Sequence, residues 1–233
     1  MAETTHAPLT SDADADRLFE TGGDHWAIYL RGDSGYETGV AWNGIISITE
    51  SPEGAEPNDL YADNMKYVSL YSAEDIKGSI ECYTYPDEFK KCNGEEELTA
   101  GMGVTIAQQA RATFGLAYRT KVGNAVKGDN LGVKIHILYG CSVSPSERAY
   151  ESTNDSPDGI TFSYDFTTTP TPVTGFKPTA LLIIDSTKCP EAKFNRIQDE
   201  LFGKEDSSSS QTDGYAPTLL LPDAVKAILD AST

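Results

Sequence analysis

The sequence predicts a mainly β protein, an antiparallel β-sandwich or barrel-like domain with one flanking α-helix and long loops. Apolar and polar residues alternate over four segments with a period of two, which places one set on a core face and the other on a wet face. The composition is that of a turn-rich chain, with 20 Gly, 12 Pro and 12 Tyr among 233 residues. Helical spacing is clear only over Pro190–Phe202. A chain of this length forms one large domain or two small ones, and it buries a core without disulfides or metals.

Residues 1–23 read as an acidic N-terminal arm ended by Gly22-Gly23, residues 24–203 as the β domain, and residues 204–233 as a Ser-rich linker with an apolar C-terminal tail. His25–Arg31 and the β-branched run Gly44–Thr49 are the first strand candidates. Ser51–Asn64, with its prolines, glycine and acids, reads as a long loop, and Lys66–Tyr71 resumes strand character. Ile76, Gly78, Ile80 and Cys82 alternate with polar neighbours; Phe114, Leu116, Tyr118, Thr120 and Val122 do the same. So do Val133, Ile135, Ile137, Tyr139 and Cys141, and then Ile160, Phe162, Tyr164 and Phe166. Such strands predict an antiparallel sheet with one polar side. Ala180–Asp185 is a wholly apolar strand candidate.

Pro86–Lys91 allows one short helical turn. In Pro190–Phe202, proline suits the first turn, Phe194, Ile197 and Leu201 form an apolar stripe, and Gly203 ends the helix. Residues 204–214 read as a flexible linker, followed by a docked strand or helical turn over Thr218–Pro222 and Ala224–Leu229.

Acids outnumber bases 36 to 18, a net charge of −18. That balance argues against a nucleic-acid grip, which needs a basic footprint, and against adsorption to anionic lipid. No apolar run approaches the ~18 residues of a membrane span, and the acidic N-terminus lacks the apolar core of a secretion signal. Residues 50–99 hold 13 acids and 4 bases, whereas residues 100–149 hold 6 bases and 2 acids. Two readings fit: a solvated acidic loop beside ordinary strands, or a self-complementary chain whose acidic part meets the basic part of another copy.

Cys82, Cys92, Cys141 and Cys189 form no CxxC pair, and His6, His25 and His136 are scattered, so no zinc site is expected. Cys82 and Cys141 fit small buried hydrophobes of a reducing cytoplasm. No nucleophile elbow, metalloprotease, phosphate-loop or dinucleotide motif occurs. Gly101-Met-Gly103 reads as a loop and Glu95-Glu96-Glu97 as a solvated run. Arg31-Gly-Asp-Ser34 is a short chance match to an adhesion tripeptide. No catalytic residue, metal or cofactor is expected.

The phrasing of several segments, taken in order, resembles one family. These are Gly39–Gly44, Ser51–Pro57 with Leu60–Asn64, Ile80–Phe89, Phe114–Thr120, Lys134–Gly140, Ser144–Glu147, Asn154–Pro157, Thr161–Pro170 and Thr174–Thr179, with Leu221–Val225 at the tail. They are similar to the major tail (tail tube) proteins of long-tailed, non-contractile bacteriophages. The resemblance implies a β-sandwich-like subunit that forms hexameric rings stacked head to tail into a tube in the virion tail. It also implies that the protein is made in the host bacterial cytoplasm. Its implied partners are other copies of itself, a tape-measure protein inside the tube, and tail terminator and distal tail proteins at its ends. DNA passes only in transit, and there is no cofactor or membrane insertion.

On that basis residues 50–64 and 85–112 are expected to be interface arms, poorly ordered in the free subunit. Asp59, Asp63, Glu95, Glu96 and Glu97 are expected to meet Arg111, Arg119, Lys121 and Lys127 of an adjacent ring, a contact that salt would weaken. Glu81 and Asp165, on polar strand faces, are candidates for the lumen wall or for outer solvent. The alternatives are the inner tube of a phage-derived injection device, a monomeric carbohydrate-binding β-sandwich, and an acidic glycoside hydrolase.

Overall fold

The computed structural model describes residues 14–54, 56–72, 74–150, 152, 159–207 and 212–231. The expected N-terminal arm over 1–13, the Asn154–Pro157 segment and the serines at 208–210 lie outside the described residues. Chain order runs β1 (Leu18–Gly32), β2 (Gly35–Tyr36), β3 (Val40–Ala41), β4 (Ile45–Gly54), β5 (Pro57–Ala62), β6 (Met65–Tyr71) and β7 (Glu74–Cys82). Then come α1 (Asp87–Cys92), β8 (Glu96–Glu97), β9 (Thr105–Ile106), β10 (Phe114–Asn124), β11 (Gly128–Val143), β12 (Phe162–Thr167) and β13 (Leu181–Asp185). Helices α2 (Glu191–Phe202) and α3 (Pro222–Asp230) close the chain. The protein is mainly β, with a large antiparallel sheet and few helices, a β-sandwich-like fold flanked by helix. No helix among the described residues is long and apolar enough to cross a membrane.

Strand β11 belongs to both layers. From Gly128 to Cys141 it pairs with β10 on one side, over Lys134–Leu138 it pairs with β13 on the other, and β10 pairs in turn with β1. Its last residues, Ser142 and Val143, pair with β12, which continues to β7 and β4. The face change happens at Gly140, where φ is +59°. Ile135, Ile137 and Tyr139 face one core, whereas Leu138, Cys141 and Val143 face the other. The ladder counts Phe114 against Cys141 but Leu116 against Leu138, the signature of a bulge.

Two cores therefore lie on opposite faces of the β1–β10–β11 layer. Between the layers, Trp42, Ile80, Phe89, Phe114, Leu116, Tyr164 and Phe166 pack with α1. On the far side, Ala27, Tyr29, Ala117, Ile135, Ile137 and Tyr139 pack under Phe194, Ile197 and Leu201 of α2 and Val225 and Ile228 of α3. The expected single polar side of this layer is thus covered. Gly115 and Ala117 occupy the positions read as wet, and their small size admits Leu219 and the helices. Two buried tyrosines fasten that cover, Tyr29 to the Leu201 carbonyl and Tyr139 to the Leu220 carbonyl.

Other boundaries shift too. The strand candidate at His25 starts earlier, at Leu18, because Leu18–Thr21 pair with Lys121–Asn124; the expected arm is thus partly strand. The expected loop over Ser51–Asn64 is the end of β4 plus a hairpin of β5 and β6, turned at Asp63-Asn64, both at positive φ. Such a pair of left-handed residues matches the twist of flanking strands. The 85–112 stretch holds α1 and the small β8–β9 hairpin. The linker is closed at its base: Lys204 pairs with Tyr215, and Asp206 and Asp213 accept from the Gly214 and Ser207 backbones. Helix α2 begins after Pro190, its stripe is buried as expected, and Gly203 ends it at φ +85°. The tail forms the helix α3, so two helices flank the sheet rather than one.

Gly140→Ala should destabilise the protein by about 1–3 kcal/mol, because a side chain there meets both left-handed strain and a carbonyl. Its Cβ would lie 2.5 Å from the Thr169 oxygen. Gly175→Ala, also left-handed but open to solvent, should cost about 1 kcal/mol. Urea unfolding of the two variants checks the difference.

Candidate functional site

The surface opposite the helices is built by β4, β7 and β12. Cross-strand register places Ser47 beside Glu81 and Ser163, Thr49 beside Ser79 and Asp165, and Ser51 beside Lys77 and Thr167. These nine residues make a polar grid dominated by hydroxyls, and the Ser47 hydroxyl donates to Glu81 at 3.3 Å. Glu81 and Asp165, the candidates for a lumen wall, both stand exposed on it. The grid's only lysine, Lys77, is paired with Glu53, which neutralises it. The inward set on the same strands, Ile48, Ile80, Cys82, Tyr164 and Phe166, belongs to the inter-layer core.

Two strand edges at this side of the molecule are open. Among the described residues no strand pairs the second side of β4. The Leu18–Gly23 half of β1 is likewise paired only to β10, because β3 reaches no further than Ala27 and Ile28. Open edges present unpaired backbone groups that invite another chain.

Beyond the body, β5 and β6 form a two-stranded sheet of their own. Tyr61, Met65, Tyr67, Leu70 and Tyr71 on this hairpin are each more than half exposed. An isolated hairpin is marginal in water, and this one exposes apolar groups that a monomer would normally cover.

Most of the residues expected at ring-ring contacts have partners within the subunit. Asp59 accepts from Lys66 at 2.8 Å and from Ser69 at 2.6 Å, inside the hairpin. Asp63 sits at the hairpin tip. Glu95 takes Asn93 and Arg148, whose guanidinium also lies over Tyr85, Phe162 and Tyr164. Glu97 accepts the Gly101 amide at 2.7 Å, and Glu96 is exposed on β8.

The cations are committed in the same way. Arg111 donates to the Val143 carbonyl at 3.0 Å. Arg119 grips Asp24 with two nitrogens at 2.8 and 3.2 Å and reaches Gln198 at 2.9 Å, tying β10 to β1 and α2. Lys121 lies 3.9 Å from Asp129, and Lys127 is exposed in the β10–β11 turn. Within one subunit, among the described residues, the two sets form no ion pair with each other, and Arg111 and Arg119 hold the subunit.

Sequence reasoning missed two features. The hairpin was legible in its Asp-Asn turn between apolar residues. Glu50 was not: its carboxylate meets Tyr118 and His136 through the sandwich, a contact set by tertiary structure. Burial pushes the Cys82 thiol up to about 11 and that of Cys92 up to about 12, away from the thiolate a nucleophile needs near neutral pH. No protein-family model and no curated protein matches this chain.

At Asp24 burial works upward, but the bond and charge of Arg119, with His25, hold the carboxyl below its usual range. A depressed carboxyl stabilises the fold above its unfolded value of about 4 and loses that contribution as pH falls through the folded value. Asp24→Asn and Arg119→Ala should therefore be less stable than the parent at pH 6. The difference should shrink as pH is lowered toward about 2.5. Urea unfolding across that range measures it.

Proposed function

We propose that this chain is the subunit of a tube, a structural virion protein whose hexameric rings stack into a phage tail tube. In this reading the tube encloses a tape-measure protein, ends on terminator and distal tail proteins, and conducts DNA into the host. The observation that carries the proposal is the unfinished second layer: a polar, helix-free face with an open β4 edge beside it. A ring of copies pairs such edges into a closed barrel, which has none left. The grid then lines the lumen, where hydroxyls and acids offer phosphate no counterion-releasing grip. The apolar hairpin is the arm that reaches a neighbour, by a heterologous contact that extends along an axis without closing.

Negative-stain microscopy of the purified full chain should show rings or tubes. A single compact particle at every concentration would overturn the reading. Tyr67→Ser with Leu70→Ser should leave the melting transition of the subunit within about 0.5 kcal/mol and abolish the tubes, since both side chains are exposed.

Arg111 and Arg119 are engaged internally, so on this reading salt acts mainly through the net charge of the copies rather than through the acidic–basic contact first expected. Copies each carrying −18 repel, and screening that repulsion should promote tube growth, as read by light scattering against salt concentration. Glu81→Lys with Asp165→Lys should permit assembly but slow DNA ejection from particles carrying the variant, by analogy with basic grooves that hold phosphate. Ejection at the parental rate would remove the grid from the lumen.

A further inference from the structure

On the inward face of β4, Ile48, Glu50 and Pro52 follow one another, and Glu50 is the carboxylate that this layer sends into the sandwich. Its cross-strand neighbour is Gly78, where a Cβ would lie 2.1 Å from the Thr49 oxygen and 2.5 Å from the Phe166 ring. The Tyr118 hydroxyl donates to Glu50 Oε1, and His136 Nδ1 stands 3.4 Å from the same oxygen without hydrogen-bond alignment. His136 is 8% exposed, and its Nε2 lies 3.2 Å from Thr120 Oγ1. The Thr120 hydroxyl donates at 3.3 Å to Glu20, whose other oxygen takes Lys134. The Tyr118 ring stacks on His136 and meets Trp26 at a tilt of 31°, each ring centroid 4.9 Å away. Together these groups border a cleft of about 470 Å³ between Glu20–Gly23 on β1 and Ile46–Glu50 on β4.

The two ends of this chain of contacts are the two open edges. Glu20 lies in the half of β1 that is paired only on its β10 side, and Glu50 lies in β4 at the root of the arm. A partly buried charge is seldom the most stabilising choice at such a position, but the directional bond from Tyr118, with the His136 ring beside it, selects one geometry where apolar packing would accept several.

We propose that the Glu50–His136–Thr120–Glu20 relay, with Tyr118 and Lys134, sets the spacing between the β1 and β4 edges that a second copy must pair with, and that Glu50 is its positioning residue. The inference rests on the tube reading above. Burial works to raise the Glu50 carboxyl, but His136 and the Tyr118 hydroxyl outweigh it and hold the group below its usual range. The groups facing it are Trp26 from β1, Tyr118 from β10 and His136 from β11, with Thr120, Glu20 and Lys134 behind them.

The test is hydrogen exchange of the isolated full-length subunit, alongside tube yield, for the parent, Glu50→Ala and Glu50→Gln. Glutamine keeps an acceptor for Tyr118 but does not titrate. In Glu50→Ala, amides of Ile48–Gly54 should exchange about ten-fold faster, those of β10 and β11 should not change, and tube yield should fall about ten-fold. Glu50→Gln should restore both. In the parent, protection of the same amides, corrected for the intrinsic pH dependence of exchange, should fall as pH drops below the ordinary carboxylate range, and in Glu50→Gln that step should vanish.

Exchange in Glu50→Ala within about two-fold of the parent overturns the relay, as does Glu50→Gln behaving like Glu50→Ala. Parental tube yield from Glu50→Ala overturns the positioning role. If the parent forms no tubes while the exchange pattern holds, the tube reading falls and the relay stands.

Discussion

The fold depends on one residue's backbone: Gly140 turns β11 over so that a single strand serves two cores. Before it, odd-numbered residues face the helices; after it, Cys141 and Val143 face the space between the layers. The amide that leaves the ladder there donates to the Tyr36 hydroxyl at 2.9 Å, and the Gly140 carbonyl accepts from Thr169 at 3.0 Å. The bulge therefore strands no backbone group. Without the reversal, Cys141 and Val143 would face the helices, and the core between the layers would lose both side chains where β11 passes to β12.

The two sides of the molecule are finished to different degrees as a result. The helix side is closed by two helices, two tyrosine hydroxyls and the C-terminal segment. The other layer joins the body through the last two residues of β11 and the Ser144 amide bonded to Asp165. Its outer face carries polar side chains, mostly hydroxyls with Lys77, Glu81 and Asp165 among them, and among the described residues its last strand keeps an open edge. A monomer usually blunts such an edge with charge or a bulge; here Pro52 lies near its far end and a bulge at Ile45–Ser47 near its start. Between them Ser47–Ser51 remain regular and unpaired on one side.

The alternation in β7, β10, β11 and β12 was legible, and so was the outward orientation of Glu81 and Asp165 that follows from it. What alternation could not show was how many faces are buried. The signal lay in the supposed wet set itself: Gly115 and Ala117 are not polar, and small residues there admit a second layer. Pro52 and Pro57 obscured the hairpin, although proline is tolerated at sheet edges and strand starts. The bulge at Gly140 was illegible because it answers to Tyr36 and Thr169, residues 104 and 29 positions away in the chain. Glu50 was hidden for a related reason, since its partners lie on strands of the opposite layer.

If the chain is a tube subunit as proposed, charge decides what can hold its copies together. Of the basic residues, Arg111, Arg119, Arg148, Lys66, Lys77, Lys90 and Lys134 each engage an oxygen of their own subunit. With 18 bases against 36 acids, what remains for a neighbour is mostly negative. On the tube reading, attraction between copies comes from terms that do not depend on opposite charge, namely backbone pairing at the open edges and burial of the apolar hairpin. Burial at about 25 cal/mol per Å² is non-directional and does not fix register. Register must then come from the strand edges, and their separation from whatever holds the two layers at one spacing. The polar contacts through Glu50 span that gap, joining β4 to Tyr118 of β10 and His136 of β11.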